Sequence, residues 1–216
     1  MILYTAENGI YINYAASLAA NPHKKMNVYI NLTNKCQCSC TFCLRNTKKL
    51  SEENALWIKK EPSAAEVIAE LDKYDWDNFN EIVFCGFGEP TLALETLLEV
   101  AAHIKKKKPS QKIRINSNGL ANLSFGRDIT PSFRGLIDTI SISLNASTAE
   151  EYLRLTRNKF GIESYKAMLD FAVKCKAHIQ NVVLTVVDCI GETEIEACRK
   201  VAASAAVPLR VRAFEE

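Results

Sequence analysis

The sequence predicts an α/β protein, a partial (β/α)6 TIM-type barrel with a short N-terminal hairpin. Three observations carry that expectation. Short β-branched runs alternate with longer helical patterns, which favours parallel strands joined by right-handed crossovers. Six such units fall short of the closed eight-stranded barrel, which takes roughly 250 residues, and the chain has 216. Hydrophobic residues make up 48% and charged residues 24%, enough apolar surface for one core and too much for a disordered chain.

The elements follow in order. Residues 2–5 and 10–14 flank Asn8-Gly9, a dipeptide suited to a two-residue hairpin turn. A polar stretch around Asn21-Pro22-His23 follows, and residues 14–26 read as an insertion before the first core strand at 28–32. A helix is expected from Pro62 to Tyr74, because the fixed φ of proline suits a first turn. Residues 81–85 form the second strand. Residues 91–107 form a helix, with Leu94, Leu97, Leu98 and Ala101 on its apolar face and a lysine run at its end. Strands three and four fall at 113–116 and 139–144, followed by helices at 148–157 and 162–177. Strand five at 182–187, a helix at 192–206 and strand six at 209–213 complete the pattern. The division is residues 1–27 as hairpin and extension, and 28–216 as the core, within a single domain.

In such a fold the chemistry sits at the C-terminal ends of the strands. Those ends carry Thr33-Asn34-Lys35 and a cysteine loop, Gly86-Phe87-Gly88-Glu89-Pro90, Ser117-Asn118-Gly119, Asn145-Ala146-Ser147 and Asp188-Cys189-Ile190-Gly191-Glu192. Four of the eight cysteines lie within residues 36–43. A disulfide framework would spread them out, so they read as metal ligands. Cys36, Cys40 and Cys43 form C-x3-C-x2-C. Three thiolates on one loop suit a [4Fe–4S] cube with one iron left open. A structural zinc site, or a four-cysteine cluster that includes Cys38, are the other chemistries such a loop can serve.

This loop resembles the signature of the radical S-adenosylmethionine (radical SAM) superfamily, and further segments resemble it in the same order. The resemblance implies a [4Fe–4S] cluster on Cys36, Cys40 and Cys43, with Cys38 a non-ligand. It implies that the open iron chelates SAM, and that reductive cleavage gives a 5′-deoxyadenosyl radical that abstracts hydrogen from a substrate. Gly86, Phe87, Gly88 and Glu89 correspond to the glycine-rich loop that binds the SAM amino group, with Gly-x-Gly-Glu in place of Gly-Gly-Glu. Ser141, Ser143 and Asn145 correspond to the ribose-binding region. Gly191 and Glu194 match part of a G-x-I-x-G-x-x-E pattern near the adenine, with Val187 and Cys189 in the first two places. Asn116 and Ser117 are further candidates for polar contacts, and Arg157 is a candidate partner of the SAM carboxylate.

Within the superfamily, the runs YINLTNKCQCSCTFC, EIVFCGFGEPT, RINSNG, TISISLNA and LTVVD resemble the small TatD-associated radical SAM proteins. That resemblance adds a TatD-type hydrolase to the implied partners, beside SAM and a cellular reductant. A non-catalytic [4Fe–4S] protein that binds SAM or transfers electrons is the reading from a different class.

The net charge of +2, from 27 basic and 25 acidic residues, gives no argument for nucleic acid or an anionic membrane. No apolar stretch approaches the ~20 residues of a membrane span. The first residues lack the pattern of a signal peptide, so the expected location is the cytoplasm. Cys85, Cys175, Cys189 and Cys198 read as isolated residues, not an auxiliary cluster. His23, His103 and His178 have no metal spacing, and the lysines at 105–108 read as a solvated helix end.

Overall fold

The computed structural model describes residues 1–7, 9–47 and 55–214. The hairpin is β1 (Leu3–Glu7) and β2 (Ile10–Asn13), followed by α1 (Tyr14–Ala20) and β3 (Met26–Ile30). Next come α2 (Leu44–Thr47), α3 (Ala64–Leu71), β4 (Phe79–Phe84), α4 (Leu94–Lys107), β5 (Lys112–Ser117) and α5 (Ala121–Phe125). The chain continues through β6 (Thr139–Ser143), α6 (Ala149–Thr156), α7 (Ser164–Cys175), β7 (Asn181–Val187), α8 (Glu192–Ser204) and β8 (Leu209–Arg212).

All eight strands share one sheet, in the order β2-β1-β3-β4-β5-β6-β7-β8. β3 to β8 are parallel, and β1 is antiparallel to both neighbours. The six β/α strands and the hairpin expected from sequence therefore build a single curved sheet. Glu7 pairs with Ile10 across the turn, and Gly9 takes a φ of 73°, the left-handed backbone a two-residue hairpin needs; Asn8 lies outside the described residues. The hairpin is not a separate appendage, since Leu3 and Tyr14 belong to the main core.

Strand alternation sorts the side chains onto two faces. Ile82, Phe84, Ile113, Ile115, Ile140, Ile142, Leu184 and Val186 pack against the helices in the main core. The opposite parity, including Tyr29, Val83, Arg114, Asn116, Ser141 and Thr185, lines the inner face. The sheet curls enough that Arg210 on β8 feels the charge of Glu81 on β4 and the hydroxyl of Tyr29 on β3.

The helices form for local reasons. Ser63 and Glu66 make a reciprocal capping box at the start of α3: Glu66 N–H donates to the Ser63 hydroxyl, and Ser63 N–H donates to the Glu66 carboxylate. In α4, Leu94, Leu97, Val100, Ala101 and Ile104 are buried at helical spacing, and each fully buried Leu or Ile contributes about 1.5–3 kcal/mol. The lysines after that stripe do more than solvate a helix end. Lys105 ion-pairs with Asp138 at 2.7 Å, Lys107 with Asp72 at 2.6 Å and Lys108 with Asp77 at 2.7 Å. Residues 14–20, read as an insertion, form α1, which Asn13 caps by accepting from Ala15 N–H. Among the described residues no helix is long and apolar enough to cross a membrane.

Candidate active site

The loop that leaves β3 carries Cys36, Cys38, Cys40 and Cys43, and neighbouring elements fix its backbone. Ser39 and Thr41 N–H donate to Thr156 O and Leu155 O at the end of α6, both at 2.9 Å. Lys159 N–H donates to Gln37 O at 3.1 Å, and the Gln37 amide donates to Ser124 on α5 at 2.8 Å. On the other side, Glu89 N–H donates to Lys35 O at 2.8 Å. The cysteine loop is thus clamped between the glycine loop after β4 and the C-terminus of α6.

Both glycines of that clamp are required by space. A Cβ on Gly88 would lie 2.2 Å from Thr33 O and 2.7 Å from Lys35 O. A Cβ on Gly86 would lie 2.1 Å from Asn31 Oδ1. Glycine here lets two backbones touch, and the adjacent Glu89 ties a third loop to them. Its buried carboxylate accepts from Thr91 N–H, Thr91 Oγ1 (2.7 Å) and Ser117 Oγ (2.8 Å) through Oε1, and from Asn118 N–H (2.7 Å) through Oε2. Burial pushes the Glu89 carboxyl up, against the pull of those hydrogen bonds.

The sulfurs lie among donors. Arg45 Nε donates to Cys43 Sγ at 3.1 Å, and its Nη2 to Cys38 O at 3.2 Å. Asn118 Nδ2 lies 3.7 Å from Cys36 Sγ and 3.6 Å from Cys38 Sγ, and Cys38 N–H donates to Cys36 Sγ at 3.4 Å. Hydrogen bonding with the Cys38 thiol draws the Cys36 thiol down to about 7 and lowers Cys40 as well. The same hydrogen bonds, with burial, push the Cys38 thiol far up. Cys38 thus keeps its proton while Cys36 and Cys40 are biased toward thiolate, the form that binds metal.

Tyr152, one turn before the end of α6, is fully buried, and its hydroxyl has no hydrogen-bond partner. Burial first, then the charges of Cys38 and Cys40, push its pKa up. An orphaned buried O–H costs about 1–3 kcal/mol. An acceptor held by the cysteine loop, such as an inorganic sulfide of a cluster, would satisfy it. The donor chemistry fits an iron–sulfur cluster, soft thiols with Arg45 and Asn118 N–H groups at sulfur, while among the described residues no three ligating side chains are already gathered as a metal site.

The other sequence-derived candidates divide. Asn116, Ser141 and Ser143 share the inner face by parity. Asn116 Oδ1 accepts from Arg114 Nη1 at 2.8 Å, and Ser141 Oγ accepts from Arg210 Nη2 at 3.0 Å. Ser117 has the opposite parity: its hydroxyl donates to Glu89 and accepts from Gly119 N–H, so it braces the glycine loop and does not face the inner side. The Phe87 side chain packs with Tyr4, Tyr11 and Leu56 in a second small core, with the exposed Trp57 ring on its edge at 5.1 Å. Only its backbone is left for a ligand. Asn145 is buried with a φ of 64°. Arg157 is the left-handed cap of α6, exposed beside the cysteine loop. Gly191 opens α8 at φ 84°, and Glu194 accepts from Ser147 N–H at 2.6 Å, joining the ends of β6 and β7. Cys175 and Cys198 are buried in the core, and Cys189 is exposed. Asn118 is named only within the strand-end run Ser117-Asn118-Gly119, and Arg45 and Tyr152 escaped the sequence reading. Arg45 carried a usable signal, since it lies two residues after Cys43.

Together the fold and the site define an α/β-barrel protein with a thiol-lined centre at its strand ends. Residues 30–199 match the radical SAM superfamily. The chain belongs to that superfamily, whose members are enzymes that bind an iron–sulfur cluster and cleave SAM. A probable GTP 3′,8-cyclase from Thermococcus kodakarensis is 25% identical over 171 residues, which cover 78% of this chain and 50% of that protein. The chain thus spans about half the length of this curated relative. Among solved structures, a radical SAM methyltransferase from Sphaerobacter thermophilus has a TM-score of 0.57 at 14% identity, over 88% of this chain and 66% of that one. The FeFe-hydrogenase maturase HydG from Carboxydothermus hydrogenoformans has a TM-score of 0.60 at 16% identity, over 87% and 44%. At such identities the likeness is one of fold.

Proposed function

We propose that this chain is a radical SAM enzyme that holds a [4Fe–4S] cluster on Cys36, Cys40 and Cys43 and generates a 5′-deoxyadenosyl radical for hydrogen abstraction from a substrate. The observation that carries the reading is the C-x3-C-x2-C loop, pinned at both flanks, with Arg45 and Asn118 donating toward its sulfurs and the buried Tyr152 hydroxyl left without a partner. When bound, the reduced cluster supplies the single electron that splits SAM into methionine and the radical. The protein's part is binding, orientation and exclusion. Cys38 stays protonated between two ligands. Gly86 and Gly88 permit close backbone approach, and the Oε2 side of Glu89 and nearby carbonyls accept from the SAM ammonium. Ser143 and Asn145 serve the ribose, Gly191 lies by the adenine, and Arg157 meets the carboxylate. The core runs from residue 28 onward, with the hairpin as its first edge. The runs quoted above support placement with the TatD-associated group, a cytoplasmic setting, and a TatD-type hydrolase and a cellular reductant as partners.

The test is direct. Anaerobically reconstituted protein, given dithionite and SAM, yields 5′-deoxyadenosine. A protein with a full cluster that binds SAM yet forms none is instead the non-catalytic, electron-transferring kind.

A further inference from the structure

The inner face carries more cations than the centre above employs. Arg114 on β5 has inner-face parity, and so do Arg210 and Arg212 on β8, because Val211 between them packs on the main core. Among the described residues one carboxylate pairs with these three cations: Glu81, whose Oε2 lies 2.9 Å from Arg114 Nε. Arg210 has Ser141 Oγ as its partner, at 3.0 Å. Arg212 has no side-chain partner among the described residues. Both are exposed. Burial, then repulsion from Arg114 and Arg212, holds the Arg210 guanidinium below its usual basicity.

Alternate residues of one strand face stand about 6.6 Å apart at Cα. From there two guanidinium forks can converge on one phosphate or carboxylate group. We propose that Arg210 and Arg212, with the Ser141 hydroxyl, form an oxyanion subsite, and that the substrate is a small molecule bearing a phosphate or carboxylate. The word substrate rests on the enzyme reading given above; oxyanion binding does not. Arginines on an edge strand also discourage pairing with another chain, but that role predicts no saturable binding.

The experiment is calorimetric titration of the anaerobically reconstituted full chain, without SAM turnover, using inorganic phosphate in one arm and succinate in the other. Saturable binding is expected in at least one arm, and the stronger arm identifies the group. Arg210→Gln and Arg212→Gln each weaken it about tenfold, the scale of one lost charge-assisted hydrogen bond. Lys106→Gln, which removes an equal charge from the exposed face of α4, does not weaken it. Arg210→Lys, which keeps the charge, weakens it less than Arg210→Gln. Absent saturable binding in both arms, or equal loss in Lys106→Gln, overturns the subsite. Arginine-dependent binding in a chain that never forms 5′-deoxyadenosine leaves the subsite standing and removes the enzyme reading alone.

Discussion

The two ends of the barrel treat polar groups differently. At the N-terminal ends of the strands, charges are consumed in pairs. Asp138 receives Lys105 at 2.7 Å, Lys112 at 3.3 Å and Ile113 N–H at 2.9 Å, and Lys108 reaches Asp77. At the C-terminal ends the pairing is mixed: Glu89 gathers four donors, Lys35 pairs with Glu61 and Asn118 Nδ2 donates to Gln37, but Arg45 Nε donates to a thiol, the Tyr152 hydroxyl has no hydrogen-bond partner, and the Arg157 and Arg212 side chains have none among the described residues. One end is satisfied by its own chain, and the other keeps a few donors in reserve for something that binds. Binding energy is stored as unmet hydrogen-bonding capacity on a base that needs no ligand to stand.

Substitutions that affect the two ends differently test this contrast. The largest effect is expected from Cys43→Ala, which should abolish both the cluster absorbance and 5′-deoxyadenosine formation while barely changing thermal stability of the cluster-free protein. Cys38→Ala should keep both; the reverse pattern overturns the ligand assignment. Next, Gly88→Ala should push the cysteine loop off its seat, since the new methyl meets the Thr33 and Lys35 carbonyls. Its expected cost is about 1–3 kcal/mol, together with a clear loss of reconstituted iron measured by quantitation.

At the opposite end, Asp138→Asn should cost about 1–3 kcal/mol by denaturant unfolding and leave iron content unchanged. Burial alone would raise the Asp138 carboxyl, but the Lys105 ammonium and Ile113 N–H hold it below its usual value. Its contribution is therefore full above about pH 4, the unfolded value, and lost as pH falls through the lower folded value. Wild type should lose that increment on acidification, and the variant should not. The smallest effect is expected from Tyr152→Phe. Cluster content should hold, and an EPR-monitored titration should find a lower midpoint potential, because a donor to a cluster sulfur favours the reduced state. An unchanged potential would mean that the hydroxyl serves no cluster atom.

Much of the fold was legible because its signals are local. The β-branched runs and the Asn8-Gly9 turn sit next to one another in the chain, and the cysteine and glycine loops are each continuous. What escaped needed either parity or a third dimension. Ser117 reads as one more polar residue at a strand end, yet Ile113 and Ile115 already give its parity as helix-facing, and the same counting isolates Arg114, Asn116, Arg210 and Arg212. α1 is alanine-rich, without the apolar stripe that announces a helix, and its partner, β1, precedes it. Tyr152 looks like an ordinary core aromatic on an amphipathic helix. That its hydroxyl ends buried and unpaired depends on α6 docking against a loop more than a hundred residues earlier in the chain.

Apart from the first hairpin, the order of strands across the sheet is their order along the chain. No strand is inserted between two already paired. Each new strand therefore adds to a free edge, with its helix laid down in the same step, and contacts stay close in sequence. A sheet with this order can grow in one direction during synthesis, and its thiol loop exists before the strands that will wall it in.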